Sequence, residues 1–469
     1  VVDRDPPGEI SMKYLAILWD SLLEAIDAKV FYVMIGLSLL TIVLVASISY
    51  HPADVQDDMD YLVNNLNAQS DFLALRQGIP KGTLRCSLED FEAKKDGALV
   101  ARGERSEPWN YDYSYVLAFK WSVPEGEDIA TGHQEIGEAL KQSLQNAMRA
   151  YLRQLKNVNV EQLKEAEPTE FRFHVTTHGS RVDRREDWPH TLKVLFVVPI
   201  TRMVKLPLRD CINFIEDTLV NAWGAAIALL LSCVITAFFI PNMLRKGSID
   251  LLLVKPVSRI TLLVYKYIGG MSFMFLNTVL IVFGIWLVLG LRSNMWGVGF
   301  LLSIFVLTFE FAIFYAVSTL FAVLTRSAVV CILMACMTWA ILFVVGWGYR
   351  IIDATRKINE VVAIQQEAMG DDQIENNPKE RRRPMEKPLP EWVYTTADIV
   401  HFVLPRMKDF DVLITRVIDH DTLPENSPDR KAVDKLYESF NWWEAIAVSG
   451  LHIALYLGIA CWRFSVKDY

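Results

Sequence analysis

The sequence predicts a polytopic α-helical membrane protein with six transmembrane helices and a mixed α/β extracytoplasmic domain. Three observations carry that expectation. The 469 residues are 52% hydrophobic and only 22% charged, and a mean hydropathy of +0.23 is high for a soluble chain of this length. The excess is gathered into about six runs of ~18–27 residues, each able to cross ~30 Å of hydrocarbon. Two long polar stretches remain, of roughly 170 and 95 residues, and the first is long enough to bury its own core. An outer-membrane barrel is excluded, because its strands would be alternating segments of ~10 residues. A formal charge of −8, with no large basic block, argues against nucleic-acid binding.

Residues 1–29 hold an N-terminal extension and an amphipathic helix. Position 1 is Val and the first Met is Met12, so the first residues read as an upstream extension. Within Met12–Ala28, Leu15, Leu18, Trp19, Leu22, Leu23 and Ile26 recur at helical spacing, with Asp20, Glu24 and Asp27 opposite. A transmembrane run follows at once, which favours a helix lying in the membrane interface over one packed on a soluble domain. The first span is Val30–Tyr50. A small-x-small site near Ser47–Ser49 raises a cleavable signal peptide, but the segment before it is too long and not basic.

Residues 51–218 form the extracytoplasmic α/β domain. Asp54–Ala74 reads as a polar helix, and Thr131–Leu155 as a long helix with Ile136, Leu140, Leu144, Met148 and Leu152 at fourfold spacing. Thr83–Phe91, Tyr113–Val123, Glu170–Thr177 and Thr191–Thr201 carry strand-like alternation or β-rich composition. Cys86 and Cys211 both fall in this domain and are a candidate disulfide if the compartment is oxidising. Closing a loop of over ~100 residues would stabilise the domain by a few kcal/mol, provided the Cα atoms are close enough, which sequence leaves open. The other cysteines, Cys233, Cys331, Cys336 and Cys461, lie in spans as small packing residues.

The second span is Leu219–Ile240, within residues 219–240, followed by a cytoplasmic loop over residues 241–267. Residues 268–349 hold the next three spans, read as Ile268–Leu291, Val298–Leu324 and Ala328–Tyr349, whose short connections demand a tight up-down-up bundle. Residues 350–444 are a second extracytoplasmic segment. Its first half, with Arg381-Arg382-Arg383, reads as linker-like. Its second half has helical apolar spacing around Ile399, Phe402, Val403, Phe410, Val412, Leu413 and Val417, and is expected to pack on the first external domain or as a lid. Residues 445–469 give the sixth span, Ala445–Trp462, and a cytoplasmic tail. Orientation follows from Arg245, Lys246, Lys255, Arg259, Lys266, Arg326, Arg463 and Lys467, which six spans place on one side, the cytoplasm. Trp223, Trp286, Trp296, Trp347, Trp442, Trp443 and Trp462 fall near span ends as interfacial anchors.

No Walker A pattern, nucleophile elbow, HExxH, CxxC or EF-hand loop occurs, and no catalytic constellation is found. His174 and His178 share a strand face without further ligands, so a surface pair is favoured and no metal site is assigned. Glu310 lies within the fourth span, where exposure to lipid costs several kcal/mol. It reads either as the lining of a translocation path, with Asn277, or as structural glue through a hydrogen bond to Asn277 or Thr278 of the third span.

The cytoplasmic loop is the most informative segment. Gly247 permits a sharp turn, Ser248 can cap a short helix over Ile249–Val254, and Asp250 sits near its positive end. Pro256 disfavours helix at Lys255, and Ser258 can cap the next helix. The result is a short amphipathic helix on the membrane's inner face, offering Ile249, Leu252 and Leu253 to a partner or to lipid. Three patterns occur in order: Arg245-Lys246-Gly247-Ser248-Ile249-Asp250-Leu251-Leu252-Leu253, then Pro256-Val257-Ser258-Arg259, then Lys266-Tyr267-Ile268-Gly269-Gly270. They resemble the signature of ABC transporter permease subunits of the ABC-2, exporter-type class. The nearest subgroup is similar to permeases of multicopper-enzyme maturation, although the external segments here are far larger and no Met/His/Cys copper cluster is evident.

That resemblance implies a permease dimer, homomeric or heteromeric, in the bacterial inner membrane. It implies a separate cytoplasmic ATPase that holds ATP and Mg, with no cofactor bound directly by this chain. Gly247, Ser248, Ile249, Asp250, Leu252, Leu253, Pro256 and Arg259 would form the ATPase-coupling element, and Met12–Ala28 the elbow helix. The chain itself would be a transporter and not an enzyme, exporting a substrate or passing mechanical work to a periplasmic partner. The rival expectation is a membrane-anchored extracytoplasmic binding or scaffold protein without transport.

Overall fold

A computed structural model describes residues 29–68, 83–105, 109–122, 140–142, 144–145, 148, 154–163, 170–183, 185–199, 206–219, 224–244, 258–369, 390–422, 430, 434, 438 and 440–466. The chain divides into two compact units, Leu44–Phe214 on the one hand and Val1–Val43 with Ile215–Tyr469 on the other. The expected elbow helix, the tail Lys467-Asp468-Tyr469 and the Arg381–Arg383 triplet lie outside the described residues.

The first apolar run forms helix α1 (Lys29–Ala46). It ends earlier than the sequence suggests, because Ser47 turns back, its Oγ donating to Leu44 O at 2.6 Å, and Ser49–Pro52 is already strand β1. Helix α2 (Val55–Ala68) follows, with Val55, Met59 and Val63 on its buried face. The main sheet is antiparallel, built from β2 (Thr83–Lys95), β3 (Ala98–Leu99), β4 (Asn110–Ser122), β5 (Leu155–Gln162) and β6 (Glu170–Ser180) in the order β3-β2-β4-β6-β5. Alternation fixes its faces. Tyr111, Tyr113, Tyr115, Leu117 and Phe119 of β4 and Phe171, Phe173 and Val175 of β6 point into one core with the α2 face and Leu140, Leu144 and Met148.

Leu140, Leu144 and Met148 of the expected stripe are buried, Ile136 and Leu152 lie outside the described residues, and the helix expected up to Leu155 does not reach that residue, which opens β5. Leu155–Gln162 finds its partner in β6, and Asn157, in the left-handed region at φ 53°, accommodates a register shift that periodicity alone does not reveal. A second small sheet pairs β1 with β7 (Pro189–Val194), and β7 with β8 (Val198–Pro199) and β9 (Leu206–Pro207). Helix α3 (Leu208–Asp217) closes the run.

Cys86 and Cys211 are both free thiols, so the candidate disulfide is not formed in this structure. Their surroundings give the reason. Cys86 sits in mid-strand on the main core face of β2, whereas Cys211 lies in the first half of α3, its Sγ donating to Leu206 O at 3.6 Å. Each thiol is buried, and burial pushes each up to about 12.

In the other unit the second apolar run is helix α4 (Gly224–Thr236) and, after a turn at Ala237–Phe238, helix α5 (Phe239–Met243), which contains Pro241. Among the described residues, four helices are long and apolar enough to cross a membrane: α6 (Arg259–Ser293), α7 (Ser303–Thr325, extended at its start by the 3-10 turn Gly299–Leu302), α8 (Ala328–Met369) and, further on, Trp442–Val466. Of the six expected spans, the runs at Phe31–Ala46 and Leu229–Met243 are apolar but shorter. Helix α8 has 42 residues, about 63 Å at 1.5 Å per residue, roughly twice a hydrocarbon core. The part expected to be linker-like thus begins as a continuation of α8, because Arg350–Met369 contains no Gly or Pro. Then come α9 (Glu391–Val403), α10 (Met407–Thr422) and the final span α11 (Trp442–Val466). Helix α7 is the centre of the bundle, its side chains from Phe311 to Val317 almost all buried against α4, α6, α8 and α11.

Candidate functional site

The coupling residues predicted from sequence fall mostly outside the described residues, namely Gly247, Ser248, Ile249, Asp250, Leu252, Leu253 and Pro256. Arg259 is described and opens α6. Ser258 caps that helix as its sequence position suggests, Oγ accepting from Thr261 N–H at 3.1 Å. The Lys266–Gly270 pattern has a clear packing role. Tyr267 stacks on Tyr315 of α7 with ring centroids 5.0 Å apart, and its hydroxyl donates to Ala312 O at 2.8 Å. Gly270 lets the two helices close around that ring, since a Cβ there would lie 2.4 Å from the Tyr315 hydroxyl oxygen. The base of α6 is therefore fixed to the central helix by a stack, a hydrogen bond and a close approach.

Glu310 lies on α7, 1% exposed, and neither carboxylate oxygen has a hydrogen-bond partner. The bond expected from the third span is made elsewhere. Asn277 Oδ1 accepts from Ser38 Oγ of α1 at 3.0 Å, and Thr278 Oγ1 donates back to Met274 O at 2.9 Å within its own helix. Asn277 and Glu310 are both buried, but no hydrogen bond joins them.

The charged groups that act on Glu310 are Lys408 and Asp411 of α10, which sequence reasoning had not singled out. The 3.6-residue apolar period explains why that helix packs at all. Phe410, Leu413, Ile414 and Ile418 are buried, and Phe410 touches Phe309 of α7 (5.4 Å) and Trp442 of α11 (6.2 Å). The same face carries Lys408 and Asp411 inward, and they pair with one another. Gly346 of α8 makes room, since a Cβ there would lie 2.5 Å from Lys408 Cγ, and the Lys408 ammonium rests 5.0 Å from the Phe343 ring centroid. Burial raises Asp411, and the neighbouring Lys408 and Arg350 oppose that shift.

Both ends of α10 are tied down by polar contacts. At the start, Arg406 donates to Glu444 at 2.6 Å, and His401 pairs with Asp409 at 2.9 Å while stacking on Tyr349 at 3.7 Å. Toward the end, Thr415 Oγ1 donates to Asp217 at 2.8 Å and Asp421 accepts from Gly299 N–H. Near Asp421, Glu216 is pushed up to about 8 by burial and by that carboxylate. An amphipathic helix is thus clamped across the bundle with a Lys–Asp pair acting on an unpartnered carboxylate.

In the α/β unit, His174 binds Ser114 Oγ at 2.9 Å and His178 binds Asp112 at 2.7 Å. These contacts occupy the outward face of β4 and β6, on an open concavity of about 810 Å³. Among the described residues no group of three or more His, Cys, Asp or Glu could hold a metal ion.

Apolar helices packed around α7, with an α/β region between the first and second apolar runs, define a multi-pass helical membrane protein. A family model described as ABC-2 family transporter protein matches residues 15–469, nearly the whole chain. The chain belongs to that family: it is an ABC-2 type permease, the membrane component of an ABC transporter, and membership implies an ATP-binding partner. No curated protein and no solved structure matches the chain.

Proposed function

We propose that this permease couples ATP hydrolysis by a separate cytoplasmic ATPase to export, or to mechanical work on a periplasmic partner. The observation that carries the reading is the family match across all the spans and the large polar segments together. In this reading the chain pairs with a second permease subunit in the bacterial inner membrane, and the α/β unit faces the extracytoplasmic side. ATP and Mg are held by the partner ATPase, and the permease binds no cofactor itself. Gly247–Arg259 seats on the ATPase. Movement entering there reaches the bundle through α6, whose 35 residues run unbroken from the Ser258 cap and whose base is fixed to α7. Glu310 and Asn277, buried in the same bundle, line the part of the path that rearranges.

Affinity purification from the native membrane in mild detergent, with mass spectrometry of co-purifying chains, tests this. The expected result is a soluble partner carrying a Walker A motif that is lost when Ile249, Leu252 and Leu253 are replaced by Asp. Recovery with extracytoplasmic partners and no ATPase under any nucleotide condition would move the reading to a membrane-anchored scaffold.

A further inference from the structure

The turn between β7 and β8 is built unlike a soluble hairpin. Leu195, Phe196, Val197 and Val198 follow one another at its tip, and they are 58%, 58%, 76% and 58% exposed. The turn closes through Val197 N–H donating to Val194 O at 3.2 Å. Its two central residues, Leu195 and Phe196, are in the left-handed region at φ 51° and 61°. That conformation ordinarily selects Asn, Asp or Gly, and a bulky apolar residue there is a strained outlier. A tip optimised for folding in water would have neither the strain nor the four exposed apolar side chains. The four exposed apolar side chains instead call for an apolar contact outside the turn.

The position of the tip identifies that contact. Leu195 N–H donates to Ser47 Oγ at 3.2 Å, and Phe196 N–H donates to Ser47 O at 3.2 Å. Ser47 is the residue immediately after the end of the apolar helix α1. The register Ser49↔Lys193 holds the strand leaving α1 against the strand leading to the tip. The tip is therefore fixed by two hydrogen bonds to the point where the chain leaves its first apolar helix. Just behind it, half-buried Lys193 has an apolar stem and a charged end, suited to the level of lipid headgroups.

We propose that the Leu195–Val198 tip inserts into the lipid bilayer beside the end of α1 and anchors the small sheet on the membrane surface. The partner is the boundary between headgroups and acyl chains, which accepts exposed Phe, Leu and Val without a protein pocket. This rests on the apolar helices being membrane spans, and the test separates the two claims.

The full-length protein is placed in nanodiscs of phosphatidylcholine and phosphatidylglycerol. A diazirine amino acid is introduced singly at Phe196, at Val197, at Leu333 on the exposed apolar side of α8, and at Val182, an exposed apolar residue of the α/β unit. After illumination, adducts are identified by mass spectrometry. The expected result is lipid adducts at positions 196 and 197 in yields close to that at 333 and about fivefold or more above that at 182. Phe196→Asn, which suits the left-handed conformation, should leave detergent stability unchanged or raised and reduce the lipid yield at 197. Protein adducts at the tip, a tip yield no higher than at 182, or a yield at 197 indifferent to Phe196→Asn would overturn the proposal. Absence of lipid adducts at 333 as well would overturn the membrane reading beneath it.

Discussion

In the α/β unit, Asp54 meets Arg105 at 3.1 Å with both side chains buried, and the same guanidinium lies 5.1 Å from the Phe91 ring centroid. Asp187 meets Arg209 at 3.1 Å, and Asp58 accepts from Gln154 at 2.8 Å. The bundle treats most of its buried carboxylates likewise, pairing Asp353 with Lys357 at 3.0 Å, Asp409 with His401 at 2.9 Å and Asp411 with Lys408. Glu310 differs from all of these, buried with both oxygens unpartnered. A paired buried charge fixes packing and is costly to break, whereas an unpartnered one is a cost the fold already carries. The contrast separates carboxylates that hold the molecule together from one that has no such partner to hold.

The largest expected effect is in the α/β unit. Arg105→Ala strands Asp54 in a buried site, and the expected loss is about 3–5 kcal/mol, read as thermal unfolding of the full chain in detergent. A loss below about 1 kcal/mol would put this pair in the class of surface bridges and break the comparison. Next comes Gly270→Val, which drives a branched side chain into the Tyr315 ring and should cost about 1–3 kcal/mol. Gly270→Ala should cost less, and a second change, Tyr315→Leu, should recover part of the loss by removing the ring that a Cβ meets.

How much of this was legible in sequence depends on whether the signal is local. The apolar runs, the alternation of β4 and β6 and the Ser258 cap are readable because each follows from a period or a capping rule over a few residues. Glu310 was legible as an anomaly, being one carboxylate in an apolar run. Its surroundings were not. Lys408 and Asp411 lie 98 and 101 positions further on, in a helix whose apolar stripe predicts burial but not what its polar residues meet. The hydrogen bond of Asn277 goes to Ser38, 239 positions away, where no spacing rule reaches. Strand β5 was missed because its sequence, Leu-Lys-Asn-Val-Asn-Val-Glu-Gln, carries little hydrophobic contrast and becomes a strand by pairing with β6. The candidate disulfide was not decidable from sequence for a related reason, since two cysteines in one domain say nothing of the distance between their strand and helix.

A smaller effect sharpens the contrast through pH. Burial and the nearby Asp421 push Glu216 from 4.5 up to about 8. The folded chain keeps a proton there that the unfolded chain has already released. This contribution to stability is fully present below about pH 4.5 and is lost as pH rises through about 8. Unfolding measured at pH 6 and pH 9 should show lower stability at pH 9, and Glu216→Gln should reduce that difference by about 1–2 kcal/mol. An unchanged difference in the variant would remove Glu216 as its source.

The smallest expected effect on stability is at Glu310, and that smallness is the point. Glu310→Gln keeps the shape, removes the unpartnered carboxylate from α7 and takes one acidic group away from Asp411. Unfolding should shift by less than about 1 kcal/mol, in either direction. If Glu310 lines the path that moves, the reconstituted transporter should nonetheless lose coupling, with substrate-dependent or partner-dependent ATP turnover falling about tenfold while assembly with the ATPase is retained. Lys408→Met should act on the same property, because it removes the cation that acts on both Glu310 and Asp411. The opposite pattern, a loss above about 3 kcal/mol with coupling intact in the surviving protein, would place Glu310 with Asp54 and Asp187 as a residue that holds the structure together.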